Sequence, residues 1–184
     1  KSNWDDLKKL KVLHREPICL VEQVLKDFSN CTINFEIKKT KRYKELVDRF
    51  FELLQEYKPK AKIYISSFSL DIIRYAHQVY PKSFSIGLSP IFTKPRNPSF
   101  SKIKKLKWIS SWNIHFTGIR SFQKKMMREK FQQSKAFWLW TLNTKSQWES
   151  SLKSGFKIGA IMTDHPDKLH RYLNSLRVKP SCQK

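Results

Sequence analysis

Glu36 is the residue whose type and setting first suggest chemistry. It lies in the run Thr32-Ile33-Asn34-Phe35-Glu36-Ile37-Lys38, where Ile33, Phe35 and Ile37 alternate with Thr32, Asn34, Glu36 and Lys38. Period two places the two sets on opposite faces of a strand. A charged carboxylate there is costly unless it is paired or bound to a cation. Two readings stay open: metal or phosphate chemistry shared with Asn34 and Lys38, or a simple Glu36–Lys38 contact or wet strand edge. Asp164, in Met162-Thr163-Asp164-His165-Pro166, is the other acid outside the helical pattern. Its position before a helix start favours capping over an active-site role, and His165 beside Pro166 reads as a loop residue rather than a general base. In Phe137-Trp138-Leu139-Trp140-Thr141-Leu142-Asn143 the two tryptophans share one face. Trp138 reads as core packing, and Trp140, nearer the strand end, as the wall of a pocket.

Such groups need elements to aim them. Helix-period segments at 20–28, 41–57, 70–80, 122–132, 146–154 and 167–176 alternate with strand-like runs at 32–38, 62–68, 83–88, 112–118, 136–143 and 158–163. The helix at 41–57 is the clearest, with Leu46, Phe50, Leu53, Leu54 and Tyr57 on one face and Pro59 behind it. Residues 91–107, with Pro95, Pro98 and five lysines, read as a long loop, part of a basic insertion around 91–111. Regular alternation predicts a parallel α/β fold in one domain over 1–184, with about six β-α units of a (β/α)8 barrel. In such a barrel, polar residues alternating on a strand point inward, and those near its C-terminal end reach the mouth.

Composition narrows the field. Hydrophobic residues make up 40% of the 184 and aromatic ones 14%, which excludes a disordered basic tail. Cys19, Cys31 and Cys182 are odd in number and scattered, so neither a disulfide scaffold nor a structural zinc site is expected. With four glycines and no Gly-x-Gly-x-x-Gly, dinucleotide and P-loop sites are excluded. No apolar run is long enough to span a bilayer. The N-terminus has neither an initiator Met nor a leader pattern, so a soluble piece of a longer product is expected, with a cytoplasmic setting favoured. The net charge is +22, and residues 92–135 hold 12 Lys and Arg against Glu129. Such a field draws phosphorylated partners. A membrane surface is one, and nucleic acid, through interleaved Phe100, Trp108, Trp112 and Phe122, is a weaker one.

Five segments in order resemble the glycerophosphodiester phosphodiesterase family of metal-dependent (β/α)8 barrels. Ile18-Cys19-Leu20-Val21-Glu22-Gln23-Val24-Leu25 is similar to its Ile-Pro-Thr-Leu-Glu-Glu-Val-Leu helix entry, and Asn34-Phe35-Glu36-Ile37-Lys38 to its Asn-x-Glu-x-Lys strand. Ser66-Ser67-Phe68, Trp140-Thr141-Leu142-Asn143 and Gly159-Ala160-Ile161-Met162-Thr163-Asp164-His165-Pro166 resemble three later strand ends. The resemblance implies hydrolysis of glycerophosphodiesters to an alcohol and glycerol 3-phosphate. It makes Glu36 a ligand of a divalent metal (Ca or Mg), sets Lys38 on the phosphate, and puts Trp140 and Phe68 against the substrate. The family's His-Arg-Gly, Glu-x-Asp and later His-Asp are not found in this chain, so catalytic residues stay unknown and the chain is expected to be inactive by itself. A basic binding module and a catalytically dead scaffold barrel are the rival readings.

Overall fold

The computed structural model describes residues 3–12, 16–79, 86–93, 107–119 and 135–177. The predicted helix at 122–132 and most of the predicted insertion lie outside them. A one-turn helix α1 (Trp4–Leu7), capped by the Asn3 side chain, precedes a small antiparallel pair, β1 (Lys11–Val12) and β2 (Glu16–Pro17). Sequence patterning had not suggested either, since pieces this short carry no period. Helix α2 (Val21–Asp27) then leads into a regular series: β3 (Thr32–Glu36), α3 (Tyr43–Tyr57), β4 (Lys62–Ser67), α4 (Leu70–Val79), β5 (Ile86–Phe92), β6 (Ser111–His115), β7 (Ala136–Trp140), α5 (Lys145–Leu152), β8 (Ile158–Ile161) and α6 (Pro166–Arg177).

Strands β3 to β8 form one parallel sheet in sequence order. The outer faces of β3, β4 and β5 meet helices α3 and α4. Phe35 of β3 sets its ring edge-on to Phe50 of α3, with centroids 4.9 Å apart. Val47, Phe50, Phe51 and Leu54 give α3 its i, i+3, i+4, i+7 buried arc. Leu46, expected on that face, is exposed, because the arc centres one residue further along. Lys58 ends the helix in the left-handed conformation (φ 42°), its N–H bonded to the Leu54 carbonyl.

The inner faces show that the sheet curls. β4 and β7 stand three strands apart, about 14 Å in a flat sheet, yet the rings of Tyr64 and Trp138 lie 4.4 Å apart across the concave side. Gly87 of β5, in register with Tyr64, makes room for that ring: a Cβ there would come within 2.1 Å of it. The result is six strands of a (β/α) barrel, curled but with β3 and β8 as free edges among the described residues.

Two expectations shift. Strand β5 runs on through Pro90 to Phe92, where a break was expected. It pairs with β4 up to Pro90 and with β6 at Ile91 and Phe92, so the residue without an N–H falls where the ladder changes partner. Trp112 is fully buried and Trp108 stacks on His77 at 4.1 Å, so neither offers a ring to a nucleic-acid base.

Candidate functional site

Because the strands are parallel, their C-terminal ends share one rim of the sheet, and the polar inner-face residues collect there. Glu36 is the last residue of β3. Its neighbour Ile37 is buried and held on both sides, its N–H donating to the Ser66 carbonyl at 2.8 Å and its carbonyl accepting from Ser67 Oγ at 2.6 Å. With Ile37 anchored outward, Glu36 and Lys38 fall on the other side. Lys38 Nζ donates to Glu36 Oε1 at 2.6 Å, with the Glu36 side chain 31% exposed and Lys38 77%. Of the two readings of this carboxylate, the contact with Lys38 is present.

At the C-terminal ends of β4, β6 and β7 stands a group of rings. Trp140, the last residue of β7, meets Phe68 edge-on with centroids 5.6 Å apart and His115, the last residue of β6, at 4.6 Å. Phe68 is 47% exposed, a large apolar ring held in the open at a strand end. The indole Nε1 of Trp140 is buried with no hydrogen-bond partner among the described residues. His115 Nδ1 lies 2.7 Å from Thr117 Oγ1 and accepts the Thr117 N–H at 3.3 Å. A neutral ring therefore carries its proton on Nε2. Reading from sequence alone missed His115. The signal was available, since Asn113 and His115 alternate with the buried Trp112 and Ile114 and so had to face inward.

Further round the rim, Asn143 ties the end of β7 to the end of β8. Its Nδ2 donates to Asp164 Oδ2 at 2.6 Å, and its Oδ1 accepts from the Asp164 N–H at 2.9 Å and Thr163 Oγ1 at 3.1 Å. The Asp164 carboxylate thus braces a loop, where a helix cap was expected. His165 is the loop residue anticipated, its N–H turned to Thr163 Oγ1 and its carbonyl opening α6. Inside the curl, Trp138 packs on Tyr64 rather than on a helix, and both line a cleft of about 570 Å³ with Asn34, Ala160 and Met162. Ser66 Oγ and both side-chain polar atoms of Asn113 are buried without hydrogen-bond partners among the described residues.

A hard divalent cation takes about six oxygen ligands. All the acids of the chain except Glu129 lie among the described residues, and Glu36 and Asp164 are the ones found at the ends of the sheet strands β3 to β8. No group of three or more His, Cys, Asp or Glu side chains converges among the described residues. Glu36 alone does not make a metal centre, and its nearest charge is an ammonium.

A parallel β/α barrel whose polar and aromatic residues gather at the C-terminal rim is the architecture of a barrel enzyme with its site at that mouth. Residues 1–168 match the model of the glycerophosphoryl diester phosphodiesterase family, and the chain belongs to it. Among solved structures, a glycerophosphodiester phosphodiesterase from Parabacteroides distasonis superposes with TM-score 0.75 at 19% identity, covering 96% of this chain and 73% of that one. An Oleispira antarctica phosphodiesterase, in complex with the product sn-glycerol-3-phosphate, gives 0.65 at 17% identity, covering 83% of this chain and 58% of that one. A Thermotoga maritima glycerophosphodiester phosphodiesterase gives 0.64 at 16%, covering 93% and 70%. Comparison with curated proteins yields no match. These likenesses bear on the fold; the family match bears on the chemistry.

Proposed function

We propose that the rim is a binding site for a glycerophosphodiester. Lys38 meets the phosphate and Phe68 and Trp140 wall its glycerol end, with the Glu36 carboxylate held against the Lys38 ammonium. What supports the reading is that the Glu36–Lys38 ion pair and the Phe68–Trp140 ring pair both lie at C-terminal ends of strands of one parallel sheet. Hydrolysis to an alcohol and glycerol 3-phosphate needs a cation to neutralise the phosphoryl oxygens and groups to move protons on and off the reacting oxygens. The described residues bring together too few of these, so binding rather than turnover is the property expected of the chain alone.

Calorimetric titration with sn-glycerol 3-phosphate and with inorganic phosphate tests the assignment. Trp140→Ala should weaken the first by about tenfold, the worth of one ring contact at about 1.4 kcal/mol, and leave the second nearly unchanged. Equal losses for both ligands, or none, would refute the glycerol wall. The net charge of +22 favours a second reading, attachment to an anionic membrane surface. Co-sedimentation with anionic vesicles that persists at high salt would count against a purely electrostatic attachment.

A further inference from the structure

The described residues do not supply a metal centre, and that disagreement with a metal-dependent family has a consequence at the rim. We infer that this chain takes a phosphate ester through the Lys38 ammonium without a divalent cation, and that Glu36 positions that ammonium instead of ligating a metal. The inference rests on the rim being the phosphate site.

Three observations support it. First, the Glu36 carboxylate already has a cation, Lys38 Nζ at 2.6 Å. A metal would have to displace that ammonium and then find its remaining oxygens elsewhere. Second, the other acid at a strand end in the sheet, Asp164, has its Oδ2 engaged by Asn143 at 2.6 Å and stands beyond β8, at the opposite end of the strand order from β3. Third, an ammonium has three N–H donors and Glu36 takes one, which leaves the others for phosphate oxygens. The two side chains leave the backbone on either side of the pinned Ile37, so the carboxylate limits where the flexible lysine can place its charge. Entropy lost in ordering a lysine is thereby met before the ligand arrives.

The test is a titration of the full chain with sn-glycerol 3-phosphate, run once with excess EDTA and once with Ca or Mg. We expect dissociation constants within about twofold of each other, about tenfold weakening in Lys38→Met, and little change in Lys39→Met, which controls for general positive charge. Glu36→Gln should weaken binding by about threefold, to the same extent with EDTA and with the cation, because the ammonium loses the carboxylate that orders it. Binding that appears only with the cation and is lost in Glu36→Gln would overturn the inference while leaving the rim as the phosphate site. Equal loss in Lys38→Met and Lys39→Met would overturn it in favour of diffuse charge. No binding under either condition would overturn both the inference and the proposed function. All three substitutions are at exposed positions, and a thermal melt of each variant confirms folding.

Discussion

Substituting Gly87 by Ala tests the curl of the sheet, on which the whole rim depends. An added Cβ would lie 2.1 and 2.2 Å from two Tyr64 ring carbons, and it must open to 3.4 Å before contact becomes ordinary. Neither side can yield cheaply, because the Tyr64 ring is trapped between β5 and the indole of Trp138, 4.4 Å away. Overpacking of this kind costs about 1–3 kcal/mol, and parting the ring pair adds about 0.5–1.5 kcal/mol. Replacing Gly in a strand returns about 0.5–1 kcal/mol of chain entropy. The net expectation is a loss of about 1–3 kcal/mol, or about 2–4 °C in melting temperature for each kcal/mol in a chain of this size. Urea unfolding of Gly87→Ala, Tyr64→Ala and the double variant gives a thermodynamic cycle. The glycine substitution should cost markedly less once the ring is gone. A full cost that persists in the Tyr64→Ala background, or a neutral Gly87→Ala, would refute the packing described for the inner face.

Two further outcomes follow from polar contacts. Asn143→Ala removes the acceptor of two bonds and the donor of a third between the ends of β7 and β8, and chemical denaturation should show a loss of about 1–3 kcal/mol. In the second, Tyr75 donates to both Asp48 oxygens, at 3.0 and 2.9 Å, and this bond, ahead of burial and the neighbouring charge, raises the phenol pKa above its usual value. A raised pKa favours the neutral form in the folded chain, so the stabilisation is complete below the ordinary phenol pKa of about 10 and fades as pH climbs through the raised one. Tyr75→Phe should therefore melt lower at neutral pH, with the gap closing in strongly alkaline buffer.

How far the sequence foretold this structure depended on whether a residue's signal was local. Alternation in 32–38 was enough to set Glu36 and Lys38 on one side of β3, since Ile33, Phe35 and Ile37 had to seek the helices. The α3 arc was legible apart from its centre, which tertiary packing moved from Leu46 to Val47. The strand expected at 83–88 runs on to Phe92, because its extension rests on pairing with β6 at Ile91 and Phe92, which the local pattern does not record. Asp164 misled for a similar reason: its partner Asn143 is 21 residues away. His115 sat in plain alternation with Trp112 and Ile114, but its contact with Trp140 depends on the pairing of β6 with β7, which only the fold supplies.

The free edge of β8 has a practical meaning. Its four residues, Ile158-Gly159-Ala160-Ile161, carry no charge and no proline, whereas the opposite edge strand ends in Glu36 with Lys38 and Lys39 close behind. Among the described residues, then, one border of the sheet is guarded against self-pairing and the other is not. In concentrated preparations, oligomers should seed along Ile158–Ile161, and a lysine in place of Ala160 is the first change to make for anyone who wants the chain to stay dispersed.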